Sequence, residues 1–167
     1  MPHLPNLAPL GALALLAGAY LGRRYWAVII PLAMLFVSDL ILNNTSSRAF
    51  FPDHDGMVLF ASYMPYTWLS IAAIVGVAFL LLKKVTPLRV LGSAVIASVL
   101  FYLVSNFGVW MHGTLYTKDF AGLLECYIAA IPYFRSTLMS NVVFSAVAFT
   151  AIEYVTTKLA TTKAVTA

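Results

Sequence analysis

The sequence predicts an all-α integral membrane bundle, and three observations carry that reading. Of the 167 residues, 62% are hydrophobic and only 10% are charged, whereas a soluble domain carries about a quarter charged residues. The apolar residues gather into runs near the length of about 20 that crosses a hydrocarbon core, without the alternation that marks a membrane strand. The Lys and Arg behind the net charge of +4 sit in small clusters at the ends of those runs. Such clusters anchor helices; a nucleic-acid binder needs a continuous basic face.

Five spanning helices are expected, in a single transmembrane domain over 1–157 with a flexible tail at 158–167. The first runs from Leu7 to Gly22 and is short for a span. The second runs from Tyr25 to Leu42, the third from Met57 to Leu82, the fourth from Leu88 to Met111 and the fifth from Phe134 to Thr157. Ala17-Gly18-Ala19 looks like a signal-peptidase site. However, the only nearby positive charges, Arg23 and Arg24, follow the run, and a signal peptide carries them in front. Pro31 and Pro65 are read near the starts of their helices, where a missing N–H costs little. Ala14 with Gly18, Ala72 with Gly76, and Ser93 with Ala97 are small residues four apart, the spacing that lets membrane helices approach closely.

Between the fourth and fifth runs, Lys118 to Ile131 is too short to cross and too apolar for a wet loop. It is expected to form a re-entrant or interfacial helix on the outer face, ended by Pro132. With that segment not spanning, Arg23, Arg24, Lys83, Lys84, Arg89, Lys158 and Lys163 all fall on one side. The positive-inside rule makes that side cytoplasmic, with the C-terminus there too. Arg48, Lys118, Arg135, Asp53, Asp55, Asp119 and Glu125 then lie outside.

Polar groups at membrane depth are expensive, so each needs a reason. Asn106 and Trp110 are four apart and share a helical face. With Tyr116, Tyr127, Arg135 and Asn141 they are the candidates for one ligand pocket, since such sites are largely apolar and aromatic with a few orienting polar groups. Asp39, Glu125 and Cys126 are secondary candidates. Asp39 fits either a ligand contact or a structural role such as a helix cap or a pair with Arg48. A Glu125–Arg135 ion pair would pin the hairpin. Cys126 is the only cysteine and has no second Cys or His-x-x-His nearby with which to build a zinc site. No metal or cofactor is expected. The sequons at Asn43 and Asn44 matter only in a eukaryotic secretory setting.

Several stretches together resemble a known family. Pro5-Asn6-Leu7-Ala8-Pro9-Leu10-Gly11-Ala12, then Gly18 to Gly22, then Ser38-Asp39 are similar to the substrate-binding S components of energy-coupling-factor (ECF) transporters. Asn106-Phe107-Gly108-Val109-Trp110, Gly122-Leu123 through Cys126-Tyr127, and Ala129 through Arg135 look like an uncharacterised bacterial membrane family related to them. That resemblance implies a six-helix bundle in the inner (cytoplasmic) membrane that captures a vitamin-like small molecule at its outer face. It also implies a transmembrane coupling subunit and paired ATPases as partners, with small residues of the first helix at the contact. The chain has no P-loop of its own, so it is not expected to be an enzyme. The alternatives are an integral-membrane enzyme using Cys126 with His112 or Glu125, and a ligand-free structural or assembly subunit.

Overall fold

The computed structural model describes residues 9–21, 24–51 and 55–166. Five α-helices account for nearly all of it: α1 (Leu10–Tyr20), α2 (Arg24–Asn44), α3 (Met64–Leu81), α4 (Pro87–His112) and α5 (Phe120–Thr166). A single 3-10 turn at Arg48–Phe50 interrupts the α2–α3 connection. α2, α3, α4 and α5 are long and apolar enough to cross a membrane. α1 has 11 residues and rises only ~16 Å, about half of a hydrocarbon core. Of its expected range, Leu7, Ala8 and Gly22 lie outside the described residues, as do Pro5, Asn6, Arg23 and Asp53.

α1 is the hub, packing on all four other helices. Ala12, Ala14, Leu15 and Ala17 are buried within the bundle, so the small residues expected to face a coupling subunit are used internally. A Cβ placed on Gly18 would come within 2.5 Å of the Ala78 Cβ and 3.0 Å of the Val75 carbonyl oxygen. The α1–α3 approach therefore requires glycine there. Ser93 and Ala97 are likewise fully buried. Gly76 departs from the small-residue reading, since a Cβ there meets nothing within 4 Å.

Around this core of short aliphatics the outward surface is apolar too. Ile29, Met34, Val37 and Ile41 on α2, Leu91, Val95, Val99 and Leu103 on α4, and Leu124, Ile128 and Met139 on α5 are all exposed. A continuous apolar exterior of this extent far exceeds the patches of a water-soluble monomer, and hydrocarbon is its natural solvent.

Helix boundaries follow local chemistry. α4 begins where expected: Thr86 accepts from the Arg89 amide and Pro87 occupies the first helical turn. α3 begins at Met64 rather than Met57. Pro65 sits in its first turn, and the residues before it are held by Asn44, which donates to Leu40 O and Val58 O and accepts from Val58 N at 2.8–2.9 Å. Asn43 is buried and accepts from the Tyr63 hydroxyl at 2.7 Å. Both sequon side chains are thus engaged in the fold. Pro31 lies well inside α2 and is fully buried, not near the helix start.

The largest departure is α5. The expected short helix ending at Pro132 and the fifth span are one continuous helix of 47 residues with Pro132 inside it, ~70 Å long. Helical backbone also continues past Thr157 to Thr166. Proline removes one intrahelical bond, but neighbouring helices can hold such a turn in a membrane. α4 and α5 are bonded to each other just before the proline: the Tyr102 hydroxyl donates to Tyr127 O at 2.6 Å and the Tyr127 hydroxyl to Leu103 O at 2.8 Å. The Tyr102 and Phe134 rings meet with centroids 4.9 Å apart. α4 and α5 run antiparallel, with Cys126 beside Asn106 and Asn141 beside Ser98.

The connection between them is sewn shut. Lys118 Nζ donates to the Trp110 and Gly113 carbonyls at the C-terminal end of α4, and Trp110 Nε1 donates to Thr117 O at 2.8 Å. Asp119 caps α5, accepting from the Gly122 amide and the Thr117 hydroxyl, each at 2.8 Å. These bonds, the Gly122 amide first, hold the Asp119 carboxyl below its ordinary pKa of 3.8. A depressed folded pKa stabilises above the unfolded value, and that stability disappears as pH falls through the folded one. The protection factors of the Gly122 and Leu123 amides, which is to say exchange rates relative to an unfolded peptide at the same pH, should therefore hold above about pH 4 and fall below it. Asp119→Asn should abolish that pH dependence, and an unchanged acid profile in Asp119→Asn would refute the cap.

Candidate functional site

The alternating helices give the bundle two ends. Tyr20 of α1 donates to Glu153 of α5 at 2.6 Å, and Val85, Thr86 and Val90 face Phe149 and Thr157 across a groove of about 580 Å³. Lys83, Lys84, Arg89 and Lys158 border this end in sequence. At the opposite end lie the Asn43–Tyr63 contact, the α4–α5 turn and His112, whose ring packs on Tyr66 at 5.3 Å.

Toward that second end, α3, α4 and α5 enclose a groove of about 620 Å³. α4 supplies Tyr102, Ser105, Asn106 and Val109, one helical stripe at spacings of three and four. α5 supplies Cys126, Ala129, Ala130, Tyr133, Phe134 and Thr137, with Ala129 and Ala130 making room for the cavity. Thr67 closes it from α3 and Tyr116 from the connecting turn. Gly108 lets α3 come close beside it, because a Cβ there would sit 2.4 Å from Tyr66 Cγ.

Of the residues singled out in the sequence, Asn106, Tyr116 and Cys126 line this groove. Tyr127 buttresses it from behind, packed on Tyr102 with ring centroids 5.5 Å apart. Trp110 is committed to the turn through its indole N–H. Asn141 is buried elsewhere, donating to Ser98 at 3.0 Å and pressed so closely on Gly11 that a Cβ there would lie 2.4 Å from its Oδ1. Arg135 is exposed on α5, roughly half a turn around the helix from the lining residues at ~100° per residue. Glu125 is exposed as well. One continuous helix sets these two ~15 Å apart along its axis, so the expected Glu125–Arg135 pair does not form.

Asp39 belongs to a different place. It is buried on α2, and its Oδ2, Asn43 Nδ2 and Trp68 Nε1 all lack a hydrogen-bond partner among the described residues. The Cys126 thiol contacts the Asn106 carbonyl oxygen at 3.5 Å, and no contact among the described residues joins it to His112 or Glu125. No cluster of three His, Cys, Asp or Glu side chains suited to a metal occurs among them either. Thr67, Tyr102 and Ser105 are lining residues that sequence reasoning missed. For Tyr102 and Ser105 the signal is the α4 stripe of Tyr102, Ser105, Asn106 and Val109; Thr67, on α3, has no such signal, whereas Asn106 and Trp110 stand out for their polarity and size.

Four helices able to span and an apolar exterior define a multi-pass helical membrane protein with a lateral groove. More particularly, the chain belongs to DUF6580, a family of unknown function whose model matches residues 1–164. No curated protein and no solved structure matches it.

Proposed function

We propose that this protein is a membrane-embedded substrate-binding subunit, of the kind found in ECF transporters, that takes up a vitamin-like small molecule in the α3–α4–α5 groove. The observation that carries the reading is the groove itself, about 620 Å³ with Asn106, Tyr116 and Cys126 on an otherwise largely aromatic and aliphatic wall. Its size falls within the range of small-molecule sites. Its lining residues lie toward the end of the bundle away from Lys83, Lys84, Arg89 and Lys158. The positive-inside rule makes the basic end cytoplasmic, along with the C-terminus, and the groove outward-facing in an inner membrane. With no P-loop in the chain, the energy for uptake comes from separate ATPases through a transmembrane coupling subunit.

Mass spectrometry of protein extracted in mild detergent tests this reading, with a co-purifying molecule of vitamin size as the expected finding. Asn106→Leu should lower its occupancy about tenfold, the effect of removing one hydrogen bond to the ligand in a dry site, while folded yield is preserved. Full occupancy in Asn106→Leu would exclude the groove as the site.

A further inference from the structure

The hydrogen bonds inside the groove define the chemistry of what it takes. Resting on the binding reading above, we infer that the groove selects an uncharged, flat aromatic molecule that presents N–H or O–H donors to the protein. Six lining side chains give a proton to the main chain. Thr67 donates to Met64 O at 2.9 Å, Ser105 to Phe101 O at 2.5 Å, and Thr137 to Tyr133 O at 3.0 Å. Asn106 donates to Tyr102 O at 2.8 Å, Tyr102 to Tyr127 O at 2.6 Å, and the Cys126 thiol to Asn106 O at 3.5 Å.

A hydroxyl that has given its only proton keeps its lone pairs. Thr67, Ser105, Tyr102 and Thr137 therefore face a ligand as acceptors, and Asn106 adds its carbonyl oxygen. Against them stand the second amide proton of Asn106 and the hydroxyl protons of Tyr116 and Tyr133. The balance favours a ligand that donates. Among the described residues, no Lys, Arg or His lines the groove, and no Asp or Glu does either. A carboxylate or phosphate would thus be desolvated without a counter-charge, which is costly. The walls carry Phe101, Tyr102, Tyr133 and Phe134, whose faces suit a planar ring.

Equilibrium dialysis of the full-length protein in detergent, with indole, 1-methylindole and indole-3-carboxylate as probes, tests the inference. Ala129→Trp and Val109→Trp, which fill the groove from either wall, serve as blanks. Indole should bind about fivefold tighter than 1-methylindole, the difference expected for one net hydrogen bond, and tighter still than the carboxylate. Combining Ser105→Ala with Thr137→Val, which removes two of the five acceptors, should narrow the difference between indole and its methylated form. If 1-methylindole or the carboxylate binds as well as indole to the native protein but not to the filled variants, the donor rule is overturned and the groove stands. If no probe binds above the blanks, the donor rule and the binding reading fall together.

Discussion

Gly18→Ala should lower the thermal unfolding midpoint of the purified protein, and adding Ala78→Gly to the same chain should recover most of the drop. The reason is the 2.5 Å separation between a Cβ at position 18 and the Ala78 Cβ, with the Val75 carbonyl oxygen at 3.0 Å behind it. Neither helix can yield freely. α1 packs against the four other helices, and Ala14, Leu15, Ile74, Val75 and Ala78 around the contact are almost wholly buried. Overpacking of such a core costs about 1–3 kcal/mol. Ala78→Gly alone removes a buried methyl and places glycine inside a helix, each worth about 0.5–1 kcal/mol, so the double variant returns close to the native value but not fully to it. Gly76→Ala is the control. Open space surrounds that position, and the increase in helix propensity should leave the midpoint unchanged or slightly raised. Equal midpoints for native protein and Gly18→Ala would show that the α1–α3 contact is looser than the structure describes.

The same contact shows why parts of this fold can be read in sequence and others cannot. Helix existence is legible because apolar length is a direct demand of the bilayer, and α4 falls within a residue of expectation at each end. Thr86-Pro87 and Gly113 punctuate it with local chemistry. The beginning of α3 is not legible, since Met57 to Tyr63 is as apolar as a helix. What keeps it out of one is a long-range clamp from Asn44 on another element. Pro132 misleads for a related reason. A proline stop is a local rule, whereas the bonds from Tyr102 and Tyr127 that tie α5 to α4 just before it are tertiary. Within the groove, Asn106 and Cys126 stand out because polar atoms are rare in the spans. Thr67 and Ser105 do not, because a hydroxyl bonded to its own helix is silent in a sequence. Their acceptor character emerges only once the direction of each bond is known.

Arg135→Leu should raise the amount of membrane-inserted protein and its unfolding midpoint while leaving ligand binding untouched, the reverse of what a pocket arginine would do. Arg135 follows Phe134, which packs on Tyr102, and precedes Asn141, which bonds Ser98. It therefore stands level with about Tyr102 of α4, ~15 Å from the C-terminal end of that helix and ~22 Å from its start. It is exposed there, among the outward-facing Leu124, Ile128, Ile131 and Met139. Its side chain is too short to reach a headgroup from that depth without thinning the bilayer. A central arginine costs about 2.5–3.5 kcal/mol on insertion scales, and a leucine in its place contributes about −0.5 kcal/mol. The exchange is thus worth about 3 kcal/mol in favour of the inserted state, more than a hundredfold in equilibrium. Arg135→Lys should show no such increase, because it keeps the charge at the same depth. Should Arg135→Leu instead fold normally and lose its ligand, the groove would have to extend around α5. Should the leucine variant lose inserted protein in cells yet remain stable once purified, the arginine would be answering a carboxylate on a neighbouring transmembrane helix, and the outward stripe of α5 would be where a partner subunit sits.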